Sequence, residues 1–547
     1  MLDRAAVDAL FPPDLPDPEQ WERRYPPRAL PEGARVTRFC PSPTGFAHIG
    51  GVYVASIDRD IARWSGGVYF IRIEDTDQAR VVEGVVQQFT EVFSYFEITA
   101  DETDADGSYG PYTQSERSRI YQSYVRELLR QGKAYLCFAT KAELAEITAR
   151  QRAAKVPTGY YGTWAVWRDA SAEDVQRRLE AGDPYVVRFR APGDGEERVR
   201  FTDAIRGEVE LEANRNDAVV LKNSHESPWL PTYHFAHAVD DHLMRVNLVI
   251  RGEEWVSSVP LHLQLFDALR LERIEYAHLA PLLKQEGRSK RKLSKRKDPE
   301  ASASYYIEAG YPLRAVQYYL RGLANGRLAE LPLPQALAEP IRMTELGVAG
   351  PLVDLVKLED ISADYIATVP SVDILSQVTA WADTHDRELG AALRQEQGLA
   401  LRALTIERGG VTNPRKDLRK WSDFRRVYGY FFPQLFEAVD DPQDPRFGGL
   451  DPSLVRALAS EFADGYQPPK PGADWFAQVR GLAARRGFAP STGAYKADPD
   501  AYLGSIREAS RVIRVLLTGA TRSPGLAAVA DVLRAEEVTR RVRAVIG

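Results

Sequence analysis

The residue types best suited to chemistry lie in two distant segments of the chain. The first segment, 38–51, contains a proline-rich turn followed by His48, Gly50 and Gly51. Glycine lets phosphate groups approach the backbone, and the start of a helix offers unpaired N–H groups to an anion. The second segment, 292–296, places two lysines around a serine, and their ammonium groups can neutralise a departing diphosphate. Together the segments predict an enzyme that binds ATP and moves an adenylyl group.

Either segment alone has a plainer interpretation. A histidine beside glycine is often a capped turn, and a run of lysines is often a solvated loop. Nucleotide binding is favoured because the two segments occur in one chain.

Further polar residues follow apolar runs that are typical of strands. Glu74 closely follows the run 68–73, and Arg251 ends a later run. Ligands of open α/β sheets bind at the carboxyl ends of strands, where a carboxylate could hold an amino group and a guanidinium a carboxylate. Helix capping by Asp75 or Asp77 is a second interpretation of the first acidic segment.

A metal site is disfavoured around the second histidine-rich segment. His234 and His237 are three residues apart on a predicted helix, but no second ligand pair with metal spacing follows. Recognition of a small molecule is the better interpretation of this segment.

The elements that must position these residues form a predicted βαβ unit. Residues 36–40 are predicted as a strand, 52–64 as a helix and 68–73 as a strand rich in β-branched and aromatic residues. A strand, a helix and a second apolar strand imply parallel pairing. Short β-like segments over 184–225 predict an insert, and the pattern becomes mainly helical after about residue 325.

Composition limits the protein class. The chain has 547 residues, 44% hydrophobic content, a net charge of −6 and two cysteines. Large packed cores are therefore feasible, whereas a disulfide framework is excluded. No signal peptide or membrane-length apolar run is evident in the sequence. We expect a soluble, cytoplasmic protein without a membrane partner.

The motifs occur in the order typical of one enzyme family. Segments 39–51, 71–77, 112–117, 187–190, 206–208, 239–242, 249–255 and 292–296 carry the match. Over roughly residues 35–325 the chain resembles class I aminoacyl-tRNA synthetases, and among them the bacterial-type glutamyl-tRNA synthetases (glutamate–tRNA ligases). The resemblance implies a two-step reaction, in which glutamate and ATP form glutamyl-adenylate and diphosphate before the glutamyl group passes to tRNA.

The resemblance also implies roles for individual residues. His48, Lys292 and Lys295 are the implied catalytic residues. The implied ATP-binding residues are His48, Gly50, Gly51, Glu254, Trp255, Lys292, Ser294 and Lys295. The implied glutamate-binding residues are Arg38, Cys40, Ser42, Glu74, Tyr233, His237 and Arg251. Cys40 and His237 depart from the residues common in the family, alanine and asparagine.

Partners follow from the resemblance and from local charge. We expect Mg²⁺ to accompany ATP, L-glutamate and tRNA(Glu) to be substrates, and the protein to be a monomer. The basic run that includes Arg415, Arg419 and Lys420, with Trp421 and Phe424 interleaved, is a candidate for tRNA binding, because aromatic rings among arginines can stack on unpaired bases. An amphipathic helix with a solvated basic side is an equally open interpretation.

The predicted fold class is α/β, with a Rossmann-like parallel-sheet catalytic domain that is split by an α+β insert and followed by helical C-terminal domains. The predicted domains are an N-terminal extension (1–34), the first half of the catalytic domain (35–115), an acceptor-end-binding insert (116–226), the second half of the catalytic domain (227–272), a stem-contact region (273–370) and an anticodon-binding domain (371–547).

Two questions remain open in the sequence. Some family members hold zinc in the insert, but here Ala139 and Trp164 replace two ligands, so we expect no structural zinc beside Cys137 and Tyr161. The alternatives to a ligase specific for tRNA(Glu) are a ligase that also charges tRNA(Gln) and an inactive RNA-binding paralogue. A tRNA-modifying paralogue without an anticodon domain is disfavoured by the long region after residue 325.

Overall fold

The computed structural model describes residues 2–193 and 196–546. The chain divides into two compact units. The first comprises Met1–Tyr305 and Gln317–Val353, and the second comprises Tyr306–Val316 and Asp354–Gly547.

All the strands of the described residues lie in the first unit. They are β1 Val36–Phe39, β2 Val68–Ile71, β3 Ala134–Cys137, β4 Val186–Phe189, β5 Arg198–Asp203, β6 Gly207–Glu212, β7 Val219–Leu221, β8 Leu248–Gly252, β9 Glu275–Leu279, β10 Leu283–Glu286 and β11 Ser289–Lys292.

The α-helices occur in both units. They are α1 Arg4–Asp8, α2 Pro18–Arg24, α3 Ile49–Trp64, α4 Val85–Tyr95, α5 Ser118–Arg130, α6 Lys141–Ala153, α7 Ala172–Glu180, α8 Tyr233–Leu243, α9 Val259–Leu269, α10 Ala303–Glu308, α11 Leu313–Ala324, α12 Gly326–Glu330, α13 Leu333–Ala338, α14 Leu355–Thr368, α15 Ser371–His385, α16 Arg387–Gln395, α17 Gln397–Thr405, α18 Phe424–Tyr428, α19 Pro452–Asp464, α20 Phe476–Arg485, α21 Thr492–Ala497, α22 Ile506–Thr518 and α23 Leu526–Arg543.

The predicted βαβ unit is confirmed. Strands β1 and β2 pair in parallel, with Val36 opposite Val68, and α3 connects them. The helix begins at Ile49, three residues earlier than predicted, because the His48 side chain caps it and accepts from the Gly50 N–H. Gly67 is required where β2 approaches β1, since a Cβ there would lie 1.9 Å from the Arg35 carbonyl oxygen.

Strand β8 lies beside β1 and extends the parallel arrangement. The backbone N–H of Asn247 donates to the Val36 carbonyl at 3.2 Å, and the Asn247 side chain accepts from the Val36 N–H at 2.8 Å. Strand β9 then pairs in parallel with β8, and β5 pairs in parallel with β9 at Asp203 opposite Tyr276. The carboxyl ends of β1, β2, β8 and β9 therefore meet at one edge, where ligands of such sheets bind.

The segment predicted as an insert contributes to the main core of the first unit and also forms a small cluster of its own. Strands β3, β4 and β7 form an antiparallel sheet, and Cys137, Tyr160 and Ile147 are buried beside it. The Cys137 sulfur lies 3.4 Å from the Tyr160 hydroxyl, and Trp164 packs against this core. Within residues 2–193 and 196–546, no cluster of histidine, cysteine and acidic side chains is arranged to hold a metal.

The predicted N-terminal extension packs on the rest of the first unit through charged and histidine side chains. Asp17 contacts Arg126 and Arg130 of α5 at 2.9 Å each. Glu22 of α2 contacts His242, in the last turn of α8, at 2.7 Å and Arg245 at 2.8 Å. The extension therefore fixes the end of the helix that carries Tyr233 and Asp241.

The second unit is helical. Its core is formed mainly by aliphatic and aromatic residues of α15–α23, and it includes Trp421 and Phe424, which are 5% and 0% exposed. Since both rings are buried, they cannot stack on bases as the sequence suggested. Across the described parts of the chain, the helices lack the length and apolar character needed to cross a bilayer.

Candidate active site

A cavity of about 770 Å³ opens at the carboxyl ends of β1, β2 and β8, beside the start of α3. Most of the predicted site residues line it: Arg38, Cys40, Ser42, His48, Gly50, Gly51, Glu74, Tyr233, Arg251, Glu254, Trp255 and Lys292. Ser294 and Lys295 belong to the adjoining loop, and His237 lies behind the cavity wall. The two segments that predicted nucleotide binding therefore meet at one cavity.

His48 is a neutral imidazole at the start of α3. Its Nδ1 accepts from the Gly50 N–H at 2.8 Å, so the proton of the ring is on Nε2. Burial, reinforced by the charges of Lys295 and Lys292, lowers the pKa of His48 to about 4, although a hydrogen bond with the Leu293 backbone opposes the shift. The imidazole can therefore act as a hydrogen-bond donor at neutral pH.

The two glycines after His48 let the start of α3 pack closely against neighbouring side chains. A Cβ on Gly50 would lie 3.0 Å from the His48 Nδ1, and one on Gly51 would lie 3.2 Å from the Phe39 ring. Both contacts are tighter than ordinary van der Waals contact, so with a larger residue the imidazole or the ring would have to shift by a few tenths of an ångström.

The second cationic segment begins on a hairpin at the mouth of the cavity. Strands β10 and β11 pair antiparallel, and β11 ends at Lys292, whose ammonium lies 3.7 Å from Glu254. Lys295 contacts the carbonyl oxygen of Phe46, in the loop before α3. Burial lowers the pKa of Lys295. Ser294 donates its backbone N–H to Asp298 at 2.9 Å, which turns the loop after β11.

Below the cavity, buried arginines share one carboxylate. Asp241 of α8 accepts from Arg38 at 3.1 Å and from Arg72 at 2.6 Å. Burial alone would raise the pKa of Asp241, but the two guanidinium groups outweigh it and hold the pKa well below its usual range. Sequence reasoning assigned no role to Arg72 and Asp241, although both lie in segments that it quoted.

Glu74 lines the same end of the cavity. It accepts from Arg72 at 3.0 Å. Burial raises its pKa, and the neighbouring Arg72 and Arg38 only partly oppose the rise. A cationic group entering the cavity would favour the ionised carboxylate.

Arg251, at the end of β8, is a buried cation that contacts neutral groups. Its Nε donates to His278 at 3.0 Å, and its Nη1 donates to the Tyr233 hydroxyl at 3.3 Å. Its Nη2 lies 3.3 Å from the His262 ring and 3.5 Å from the Trp255 carbonyl oxygen. In the described part of the chain, no carboxylate lies within ion-pair distance of this guanidinium.

His237 lies behind the cavity wall, although the sequence predicted it as a glutamate-binding residue. Its side chain is fully buried, with Nδ1 2.8 Å from Asp241 and Nε2 2.9 Å from the Tyr276 hydroxyl. Its ring is stacked on Tyr233 at 6.0 Å between centroids. The residue does not line the cavity, so a ligand there would meet Tyr233 instead.

The candidate tRNA-binding residues of the second unit are all ion-paired. Arg415 contacts Glu407 at 2.9 Å. Arg419 and Lys420 both contact Glu359, at 3.0 and 2.9 Å. These cations are partly exposed, but carboxylates of the same unit already compensate their charge.

The fold and the cavity define an α/β domain with a ligand-sized cavity at the carboxyl ends of its strands. Residues 35–343, more than half of the chain, match the family model described as "tRNA synthetases class I (E and Q), catalytic domain". The chain belongs to this family of class I tRNA synthetases, which use ATP.

Relatives match almost the entire chain. The glutamate–tRNA ligase of Clostridium beijerinckii is 40% identical and covers 96% of both chains. The glutamate–tRNA ligase of Sorangium cellulosum is 39% identical and covers 96% of this chain and 97% of its own. The crystal structure of a glutamate tRNA ligase from Elizabethkingia meningosepticum, in complex with its amino acid, aligns with a TM-score of 0.74 at 26% identity, over 94% of this chain and 99% of the other.

Proposed function

We propose that the chain attaches L-glutamate to tRNA in two ATP-dependent steps. Glutamate attacks the α-phosphate of ATP to give glutamyl-adenylate and diphosphate, and the tRNA terminal hydroxyl then takes the glutamyl group and releases AMP. The observation that carries the choice of amino acid is Arg251, a buried guanidinium that faces the cavity with no carboxylate partner in the described residues. The names of the near full-length relatives support the same choice.

The α3 side of the cavity suits the triphosphate. The Nε2–H of neutral His48 can exchange its bond with the Leu293 backbone for one to an oxygen of the α-phosphate, where charge develops as diphosphate leaves. Gly50 and Gly51 leave room for the nucleotide, and Glu254 and Trp255 line the same cavity. Lys292 and Lys295 supply positive charge toward the outer phosphates, and Ser294 between them can donate a hydrogen bond to a phosphate oxygen.

The opposite side suits an acidic amino acid. Arg251 would hold the side-chain carboxylate, with Tyr233 beside it, and Arg38 would face the α-carboxylate near Cys40 and Ser42. Glu74 would hold the ammonium group. Because Arg38 is already paired with Asp241, Arg251 is the stronger determinant of the side chain. No protein nucleophile is needed, since positioning and charge stabilisation account for such transfers.

We propose tRNA(Glu) as the acceptor, with the insert 116–226 toward the acceptor end, 273–370 along the stem and 371–547 toward the anticodon. Arg415, Arg419 and Lys420 are candidates for backbone contact in the last region. Mg²⁺ would be carried mainly by the ATP phosphates, since the described residues offer no metal-binding cluster of their own. We further propose a monomer that acts in the cytoplasm.

Charging of purified tRNA(Glu) and tRNA(Gln) with labelled glutamate, each in a separate reaction, tests this function. We expect glutamate- and ATP-dependent charging of tRNA(Glu) with release of AMP and diphosphate. Charging of both tRNAs would identify a ligase of wider tRNA range. Absence of charging and of tRNA-dependent diphosphate exchange with either tRNA would reject the function and favour an RNA-binding protein.

A further inference from the structure

Arg251 is oriented by a residue behind the cavity wall. The shortest hydrogen bond of its guanidinium runs from Nε to the Nε2 of His278, at 3.0 Å, whereas the contacts of its two Nη atoms are 3.3 Å or longer. His278 is buried on β9 and does not line the cavity. The bond to His278 therefore fixes one edge of the guanidinium and leaves the Nη edge for a ligand.

We propose that His278, fixed by Asp203, is a positioning residue for Arg251 and determines the preference for glutamate over glutamine. The proposal rests on the proposed function, in which Arg251 binds the side-chain carboxylate of the amino acid. His278 would act through the guanidinium and would not touch the substrate.

Asp203 determines which nitrogen of His278 carries the proton. An Asp203 oxygen lies 2.6 Å from the His278 Nδ1, and the other oxygen accepts the backbone N–H groups of Ile205 at 3.0 Å and Arg206 at 2.9 Å. An ionised carboxylate can only accept, so the His278 Nδ1 must donate. The lone pair of Nε2 then points at Arg251, whose Nε can only donate. Each hydrogen bond in this series has one possible direction.

The surroundings keep His278 neutral. The groups that face it are Asp203, Arg251, Arg206 and the stacked ring of Tyr276. Burial and the nearby Arg251 lower the pKa of His278 more than the hydrogen bond to Asp203 raises it. Burial would raise the pKa of Asp203, but hydrogen bonds from His278 and the two amides lower it instead. A protonated ring could not accept from Arg251.

Because His278 is neutral, it can orient Arg251 without compensating its charge, which a carboxylate acceptor would do. Arg38 contacts Asp241 directly, so its charge is compensated inside the protein. At Arg251 the compensating charge reached through hydrogen bonds is Asp203, which is separated from the guanidinium by the imidazole and also accepts from backbone amides. The guanidinium is therefore oriented while its charge remains available, and a neutral amide in the ligand cannot replace a carboxylate there.

Two variants of His278 distinguish the role of its Nε2 as a hydrogen-bond acceptor from a role in packing alone. In His278→Gln the amide oxygen can occupy the position of Nε2 and still accept from Arg251. In His278→Asn the amide can retain the bond to Asp203 but cannot reach Arg251. We would measure tRNA-dependent ATP–diphosphate exchange, with KM for glutamate and for ATP, the ratio of kcat/KM for glutamate and glutamine, and Tm. His385→Asn, at an exposed position in the second unit, is the matched control.

We expect His278→Asn to raise the glutamate KM and to reduce the preference over glutamine by at least tenfold each, with the ATP KM within twofold. His278→Gln should remain within threefold of the unmodified protein in all three values. Equal effects of the two variants, a parallel rise in the ATP KM, or an unchanged preference in His278→Asn would overturn the proposal. An unmodified protein with no glutamate-dependent exchange would instead reject the proposed function on which it rests.

Discussion

The cavity of the first unit and the basic run of the second unit use their cations differently. In the cavity, Arg251 is buried among neutral histidine, tyrosine and carbonyl groups. In the second unit, Arg419 and Lys420 are partly exposed and both contact Glu359. A buried cation without a carboxylate partner is costly unless a ligand supplies the anion. An exposed, paired cation is consistent with packing alone.

This comparison gives a physical criterion for the two predicted sites. Removing the unpaired cation should affect one substrate strongly. Removing a paired cation should weaken binding of its ligand only slightly. Removing the carboxylate partner of that cation should strengthen the binding.

Arg251→Gln should cause the largest loss. A charge-assisted hydrogen bond to a carboxylate contributes about 2–3 kcal/mol, so we expect the glutamate KM to rise about 100-fold while the ATP KM changes little. Steady-state diphosphate exchange at varied glutamate and ATP measures both values. The control is Arg507→Gln, at an exposed position on α22. An unchanged glutamate KM would remove the carboxylate role of Arg251.

Lys295→Ala should slow adenylate formation by at least tenfold, because one cation near the outer phosphates is lost as diphosphate departs. Rapid-quench measurement of glutamyl-adenylate formation, with tRNA bound, gives the rate. Lys297→Ala, exposed in the same loop, should remain within twofold. Normal rates in the Lys295 variant would mean that the loop is only a basic surface.

The free energy of unfolding should depend on pH because the first unit buries histidines. Burial lowers the pKa of His237 to about 4, although Asp241 opposes the shift. Between pH 6.5 and 4 the unfolded chain binds a proton that the folded chain excludes, so the free energy of unfolding falls as pH falls, by about 1 kcal/mol per pH unit for this residue. Urea unfolding from pH 7 to 4.5 measures the slope.

His237→Asn should reduce that slope. His48 and His234, whose pKa values burial also lowers to about 4, add to the slope in the same direction and remain in the variant. His385→Asn, at an exposed position in the second unit, is the control for the substitution itself. A slope that His237→Asn does not alter would show that the residue ionises equally in both states.

Arg419→Ala should have the smallest effect, raising the tRNA KM about threefold with no change in the glutamate KM. Loss of one phosphate contact should also reduce the salt slope of tRNA binding by about 1. Glu359→Gln is the sharper variant. It removes the carboxylate that Arg419 and Lys420 share and leaves Arg419 only the longer contact to Asp360 at 3.7 Å, so it should tighten tRNA binding. If neither variant changes tRNA affinity, these ion pairs only stabilise the second unit.

Local pattern was enough to predict the elements at the cavity edge. The apolar strands and the glycines around α3 specify a parallel βαβ unit, and Glu74 and Arg251 follow strand ends, where side chains converge. It was harder to predict how deeply a side chain is buried. Tyr233 and His237 lie one turn apart on α8, so the sequence places both on one face, but only the structure reveals that Tyr233 covers His237.

Pairing between strands that are distant in the chain could not be predicted from the sequence. Asp203 and His278 meet because β5 pairs with β9 at a single position, Asp203 opposite Tyr276. Neither local spacing nor composition specifies that register. The burial of Trp421 and Phe424 was likewise undetermined, because an aromatic residue beside arginines has the same sequence pattern in a core as on a nucleic-acid surface.

The contacts of Glu22 with His242 and Arg245 connect the N-terminal extension to the end of α8. That helix also carries Asp241, the carboxylate that holds Arg38 and Arg72. Proteolytic removal of the extension, or a fusion partner that pulls α2 away, would therefore loosen the amino-acid side of the cavity while leaving every residue that lines it intact.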